Sequence, residues 1–282
     1  MRVYADTTRR AARKSDAKCR CDAGPVREVG APVTEPANIP VATSAAARYS
    51  TGVMKAVVQI RYGPPEQVLR MQEIERPVLG AGNALVRVRA TSVNTPDWIT
   101  VTGVPYILRL AFGLRRPRTP VRGTDVAGVM EAVGRDVTDL QPGEEVFRSS
   151  WTGTLSTRGT FAELTAVPAS SLIPKPEGLS FEEAAASVMS GLTALAAMET
   201  LGKVTPGMRV LINGASGGVG TFAVQIARSL GGEVAGVCST RNLDLVRSLG
   251  ADHVIDYTQE DFTRGSDRYG LVLDNVLNHP RV

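Results

Sequence analysis

The run Val210-Leu-Ile-Asn-Gly-Ala-Ser-Gly-Gly-Val-Gly-Thr-Phe-Ala-Val-Gln-Ile-Ala-Arg228 constrains the fold of this chain more than any other segment. Residues 210–212 are a short apolar run that suits a buried parallel strand, and over 219–230 the apolar residues recur with helical spacing. Gly214, Gly217, Gly218 and Gly220 crowd the turn between them. A glycine turn from strand to helix lets backbone N–H groups approach a pyrophosphate, and the helix N-terminus adds partial positive charge. The spacing G-x-x-G-x-x-G departs from the common G-x-G-x-x-G. The same residues also satisfy G-x-S-x-G, with Ser216 in a nucleophile's place. No lysine follows the glycines, which disfavours a nucleoside triphosphate loop.

The downstream segments favour a dinucleotide. Residues 233–238, 253–256 and 271–275 read as three further strands, with a helical segment over 242–249. Strands alternating with helices predict βαβ units and a parallel sheet. An NAD-binding chain places an acid about twenty residues beyond the glycines, where it holds the ribose hydroxyls. Here that place reads Cys238-Ser-Thr-Arg241, with hydroxyls and a guanidinium but no acid. Arginine makes paired hydrogen bonds to phosphate, so NADPH is expected over NADH. A serine hydrolase built on Ser216 is the competing reading, and it needs His253 or His279, the chain's two histidines, as base.

A chain of 282 residues suits two domains. Residues 54–60, 84–90, 125–133, 145–147 and 159–167 read as short strands separated by turns at Gly63-Pro64, Gly80-Ala-Gly82, Gly134 and Pro142-Gly143. They predict a compact barrel-like domain over 53–178, followed by the nucleotide-binding part over 179–282. Ser180 and Glu183 form a capping box that opens an apolar helix over 184–198, too short and too interrupted by Ser and Thr to span a bilayer. The first 52 residues lack periodicity and are expected to be a disordered tail, with Met54 as a natural start. That tail carries nine Lys and Arg against five Asp and Glu, leaving twenty-three of each sign in the remainder. The body therefore offers no nucleic-acid footprint, and neither nucleic acid nor membrane is expected as a partner. Three cysteines, with Cys19-x-Cys21 lacking a second pair, make neither a disulfide framework nor a zinc site, which points to a reducing compartment and the cytoplasm.

A series of motifs follows in order: Gly123-Thr-Asp-Val-Ala-Gly128-Val-Met-Glu-Ala-Val-Gly134, Pro142-Gly-Glu-Glu-Val146, Ser190-Gly-Leu-Thr-Ala194, the glycine turn, Ser239-Thr-Arg241, Gly250-Ala-Asp-His-Val-Ile-Asp-Tyr257 and Leu273-Asp-Asn-Val276. In order and spacing the chain resembles the medium-chain dehydrogenase/reductase superfamily, and within it the zinc-independent quinone oxidoreductase (zeta-crystallin-like) branch. The resemblance implies an α/β fold: a GroES-like β-barrel domain, then a Rossmann-type doubly wound parallel sheet. It implies that Ser216, Gly217, Gly218, Val219 and Gly220 wrap the pyrophosphate, and that Ser239, Arg241 and Tyr257 surround the 2′-phosphate and adenosine. Asn275 is then expected near the nicotinamide-side ribose, with Thr193 and the candidate catalytic residue Asn94 facing nicotinamide or substrate. Asn94, Thr124 and Met189 stand where alcohol dehydrogenases of the superfamily carry Cys, His and Cys ligands. None is a good zinc donor, so no metal is expected. Without a Lewis acid an alcohol is a hard substrate. A conjugated acceptor is easier, because hydride addition leaves an oxyanion that needs only hydrogen-bond donors. The implied activity is NADPH-dependent reduction of a quinone or an α,β-unsaturated carbonyl.

A complete doubly wound sheet has about six strands, and four can be placed before Val282; Leu277 also stands where the family usually has glycine. The sheet is therefore expected to be incomplete at its C-terminal side, with an open apolar edge, and a homodimer is expected only of a chain with a complete second half. A shortened, non-catalytic nucleotide-binding fragment is the alternative. Plainer roles also compete for single residues: a surface ring for Tyr257, a helix hydroxyl bonded to its own backbone for Thr193, and a turn-shaping amide for Asn94. Tyr106 is a candidate pocket wall. Arg109, Arg115, Arg116, Arg118 and Arg122 form a basic stretch that suits an anionic substrate or a solvated loop.

Overall fold

The structure, a computed structural model, describes residues 1–5, 52–149, 159–264 and 267–276. It opens with a short strand, β1 (Arg2–Ala5). Strands β2 (Val53–Gln59) and β3 (Leu69–Glu75), joined through the one-turn helix α1 (Pro65–Val68), form an antiparallel ribbon. Next come β4 (Asn83–Ala90), the helices α2 (Thr95–Thr102) and α3 (Arg109–Phe112), and β5 (Asp125–Val133). With β6 (Glu145–Ser149), β7 (Leu164–Pro168) and β8 (Ile173–Pro174), strands β4 and β5 build a five-stranded antiparallel sheet in the order β7-β4-β5-β6-β8. Isolated bridges from Ala56 to Ala162 and from Val58 to Val121 fasten the ribbon to it. Successive side chains of a strand point to opposite faces. Accordingly Ala84 and Val86 enter one core with Val126, Met130, Val146 and Val167, while Leu85 enters a second with Met54, Leu79 and Leu164. Strand β3 escaped the sequence reading because four consecutive residues, Arg70, Met71, Gln72 and Glu73, are exposed and show no alternation.

The second half begins with α4 (Phe181–Leu195), which runs on into a π-helical turn, Ala196–Leu201. The expected capping box is present: Glu183 N–H donates to Ser180 Oγ at 3.1 Å, and Ser180 N–H donates to Glu183 Oε2 at 2.9 Å. Strand β9 (Arg209–Asn213), α5 (Gly218–Ser229), β10 (Glu233–Cys238), α6 (Leu243–Ser248), β11 (His253–Asp256) and β12 (Leu271–Asp274) follow. The order β12-β9-β10-β11 is parallel throughout and gives the first four positions of a doubly wound sheet.

The two halves share α4. Ala184 and Ala185 pack with Ala127 and Phe147 of the barrel, whereas Ala194, Ala197 and Met198 join Val210, Ile212, Val224, Val234, Leu271 and Leu273 in the core of the parallel sheet. Among the described residues this helical segment, residues 181–201, is the one long and apolar enough to cross a membrane. Ala184, Ala185, Ala194, Ala197 and Met198 instead fill the two protein cores.

One expectation is corrected. The edge of β12 is not open: β1 lies antiparallel along it, pairing Arg2 with Asp274, Val3 with Leu273, Tyr4 with Val272 and Ala5 with Leu271. An edge strand presents unpaired N–H and C=O groups, and β1 pairs them while Val3 packs on the core beneath. The first residues are thus a strand rather than a tail. Residues 6–51 and 277–282, with Cys19, Cys21, Leu277 and His279, lie outside the described residues. Val3→Asp places a charge against that core and should cost about 2 kcal/mol. A fall of about 5 °C in Tm is expected; calorimetry showing no change would mean that β1 adds nothing to the fold.

Candidate active site

Four loops meet at the C-terminal ends of the parallel strands. After β9 the chain turns at Gly214, whose φ of +78° favours glycine. Gly220, in the first turn of α5, has no room for a side chain, because a Cβ there would lie 2.1 Å from Gly214 O and 2.8 Å from the backbone of Ala215. Its absence lets the helix sit directly on the turn. Gly217, the N-cap, differs: a Cβ would meet only Gly214 O, at 3.3 Å, so its outer side is open to a ligand. A Cβ on Gly218 would come within 2.9 Å of Ser190 Oγ on α4.

The neighbouring loops converge on this turn. Asn242 Nδ2 donates to Ser216 Oγ at 3.0 Å and to Ser239 Oγ at 3.3 Å, tying the glycine turn to the segment after β10. Sequence reasoning missed this role, since Asn242 reads there only as the first residue of a helical segment. Arg241 is exposed on the same 3-10 turn, Thr240–Asn242, and forms no ion pair among the described residues. Thr240 Oγ1 donates to Asp256 Oδ2 at 2.6 Å, and Thr258 donates to Oδ1 through both N–H and Oγ1. These bonds, the Thr240 hydroxyl foremost, hold the Asp256 carboxyl below the usual carboxylate range. Tyr257 follows, largely exposed. At the end of β12, Asn275 N–H donates to Asn213 O at 3.2 Å, and Asn213 Nδ2 donates to Asp274 Oδ1 at 2.9 Å. Asn275 Nδ2 is buried with no partner among the described residues, a donor left over at the crevice.

The barrel supplies the other wall. Asn94 caps α2, and its N–H donates to Asp97 Oδ2 at 2.8 Å. Asn94 Nδ2 lies 2.8 Å from Ser92 Oγ, 2.9 Å from Asp125 Oδ2 and 3.4 Å from Thr124 Oγ1. Asp125 Oδ2 also accepts from Ser92 Oγ at 2.7 Å and from Met189 N–H on α4 at 3.2 Å. Thr193 Oγ1 donates to Met189 O at 2.7 Å, the plainer role anticipated for it. Asp97 is buried. That burial, reinforced by the negative charge of Asp125, pushes its carboxyl from 3.8 up to about 6, against the opposing pull of Asn94 N–H, Thr124 Oγ1 and the Arg122 guanidinium.

Asn94, Thr124 and Met189 therefore do come together, around Asp125. They do not fit zinc: the amide hydrogens of Asn94 are spent on Ser92 and Asp125, the threonine is a neutral hydroxyl, and a thioether is a poor donor to that ion. Among the described residues the hydrolase reading finds no support either. Ser216 Oγ is bonded to Asn242, while His253 opens β11 with its Nε2 3.4 Å from Glu233 Oε1 on the first residue of β10. Ser216 lies beyond the opposite, C-terminal ends of the strands.

A GroES-like barrel whose wall closes on the carboxyl ends of a dinucleotide-type sheet defines a two-domain dehydrogenase/reductase architecture. Residues 80–177 match the alcohol dehydrogenase GroES-like domain family, and residues 218–273 match the zinc-binding dehydrogenase family. The chain is 35% identical over 238 residues to a chloroplastic quinone oxidoreductase of Triphysaria versicolor, covering 80% of this chain and 68% of that protein. It is 40% identical over 209 residues to a trans-enoyl reductase of Aspergillus terreus, covering 70% and 56%. The crystal structure of Escherichia coli quinone oxidoreductase complexed with NADPH superposes with a TM-score of 0.62 at 25% identity, covering 75% of this chain and 60% of that one. The chain belongs to the medium-chain dehydrogenase/reductase superfamily, in its quinone oxidoreductase-like branch. It spans little more than half the length of the fungal relative.

The raised Asp97 carboxyl makes a pH prediction. Its folded form keeps a proton that the unfolded chain releases near 3.8, so its contribution is complete below about pH 4 and is lost as the pH rises through about 6. Two pH units correspond to about 3 kcal/mol. Asp97→Asn should therefore gain about that much on the parent between pH 4 and pH 7 in urea titrations; parallel pH curves for the two proteins would refute the assignment.

Proposed function

We propose that this chain is a zinc-independent oxidoreductase that binds NADPH and transfers hydride to a quinone or an α,β-unsaturated carbonyl. Its natural division lies between a substrate domain over 53–178 and a nucleotide domain over 179–282. The observation that carries the reading is the crevice itself: an open glycine turn, an Asn275 amide without a partner among the described residues, and an exposed Arg241 on adjacent loops. Two related proteins act by name on quinones and enoyl groups, and one solved neighbour holds NADPH.

When bound, NADPH supplies the hydride. The N–H groups of Gly217, Gly218, Val219 and Gly220 receive the pyrophosphate at the start of α5, and Ser216, oriented by Asn242, adds a hydroxyl. Ser239 and Arg241 take the 2′-phosphate, with Tyr257 beside the adenosine. Asn275 Nδ2 donates to the nicotinamide-side ribose, and Thr193 offers its hydroxyl oxygen to the same end. Asn94 is the candidate catalytic residue on the substrate side, held there by Ser92 and Asp125, which occupy its amide hydrogens. The partner is a small molecule, and the free, buried Cys238 is in keeping with a reducing compartment such as the cytoplasm.

Arg241→Ala should weaken NADPH binding by about 10- to 100-fold, the worth of one charge-assisted contact, and leave NADH within about twofold. Fluorescence titration of both nucleotides checks this, and equal losses would remove the preference. NADPH binding without quinone- or enal-dependent oxidation would leave only a nucleotide-binding role. Elemental analysis is expected to find no zinc in the purified protein; stoichiometric zinc would overturn the metal-independent reading.

A further inference from the structure

Between Asp97 and Asp125 the chain runs for 27 residues without one Asp or Glu, yet it contains Arg109, Arg115, Arg116, Arg118 and Arg122. The two outermost of these five are structural. Arg109 is sandwiched between the rings of Tyr62 and Tyr106, at 4.5 and 4.6 Å, and donates to Gly103 O and Thr102 O. Arg122 is buried against Gln59. The middle three, Arg115, Arg116 and Arg118, are exposed and form no ion pair among the described residues. Large apolar side chains accompany them: Tyr106, Ile107, Leu110 and Leu114 are each 66–71% exposed, and Trp98 is 54% exposed. Leu108 and Phe112 turn partly inward, so the segment has an inner face that packs and an outer face that does not.

This outer face is held in place. Tyr62 OH donates to Gly113 O at 2.7 Å, and Arg118 N–H donates to Phe112 O at 2.8 Å, closing the turn after α3. A soluble surface seldom presents so many adjacent large apolar groups without an interaction behind it. Tryptophan and tyrosine among exposed aliphatic side chains, followed in the same segment by three arginines without an ion pair among the described residues, match the chemistry of an anionic lipid interface: an apolar boundary under negative headgroups. A second copy of the chain fits poorly, since a two-fold contact would set arginines against arginines with no acid in the segment to meet them.

We propose that residues 98–118 form a surface that docks on anionic lipid bilayers, with Ile107, Leu110 and Leu114 entering the headgroup boundary and Arg115, Arg116 and Arg118 binding lipid phosphates and carboxylates. Such docking needs no spanning helix, and it replaces the expectation that a membrane is no partner. It stands independently of the reductase reading.

The experiment uses the full chain with vesicles of phosphatidylcholine, alone or with about 30% phosphatidylserine, at about 0.05 and 0.5 M salt. In a Trp151→Phe background Trp98 is the fluorescent reporter. The expected result is sedimentation with the anionic vesicles at low salt, a blue-shifted Trp98 emission, and release at high salt. Reversing the charges together (Arg115→Glu, Arg116→Glu, Arg118→Glu) should weaken partitioning by about a hundredfold or more, at roughly a fivefold step for each arginine lost. The pair Ile107→Ser and Leu110→Ser should abolish the blue shift. Three outcomes would overturn the proposal: equal binding to neutral and anionic vesicles, unchanged binding by the charge-reversed variant, or a concentration-dependent Trp98 shift without lipid, which would assign the face to self-association.

Discussion

A single buried carboxylate, Asp125, joins the two halves of this protein. It begins β5 in the barrel, and one of its oxygens gathers Ser92 Oγ, Asn94 Nδ2 and the Met189 N–H of α4. Hydrogen bonds to an ionised acceptor are about twice as strong as neutral ones, and a buried charge without them is costly. The position of α4 against the barrel is therefore set by charge as well as by the alanine packing of Ala184 and Ala185. Because the far end of the same helix lies in the core of the parallel sheet, fixing α4 to Asp125 also fixes the glycine turn relative to Asn94. The crevice takes its geometry from this link together with the alanine packing.

What the sequence disclosed depended on how local the determining physics was. The glycine turn, the Ser180–Glu183 box and the alternation in β4 and β5 are written in neighbouring residues, and the structure repeats them nearly to the residue. Strand β1 was illegible because its partner, β12, lies at the other end of the chain; nothing within four residues announces such a pairing. Strand β3 was hidden by a solvent-facing side that carries no period. At the candidate site, residue types were readable but atoms were not. The resemblance supplied Asn94 and Thr193, yet only tertiary contacts show that their donor hydrogens are already committed, to Asp125 and Ser92 in one case and to Met189 O in the other. Asn242, whose amide ties two loops together, and the raised Asp97 carboxyl arise from burial and long-range approach, which no window of sequence contains.

The glycines of the turn illustrate how one motif serves two demands. Gly220 answers a packing demand, since the backbone of Gly214 and Ala215 occupies the space a side chain would take. Gly217 faces the open side and answers a demand for access. A search for glycines counts them alike, although the missing side chain serves close packing at one and leaves open space at the other. The uncommon spacing follows the same division: the fold requires the contact at Gly220 and the turn at Gly214, Gly218 sits close to Ser190 Oγ of α4, and Gly217 faces the open side.

The electrostatics of the barrel wall bear on which reaction the proposed enzyme suits. Asp97 and Asp125 lie close enough for one to raise the other's carboxyl, and the groups nearest them are neutral donors, with only Arg122 as an opposing cation. Where a cation would permit a localised alkoxide to form, two neighbouring carboxylates oppose one. An acceptor that spreads its new negative charge over a conjugated system meets that field at lower cost than a simple carbonyl does. In the proposed enzyme, the lack of good zinc donors at positions 94, 124 and 189 and a preference for a conjugated acceptor would therefore be consistent with the same charge balance around Asp125.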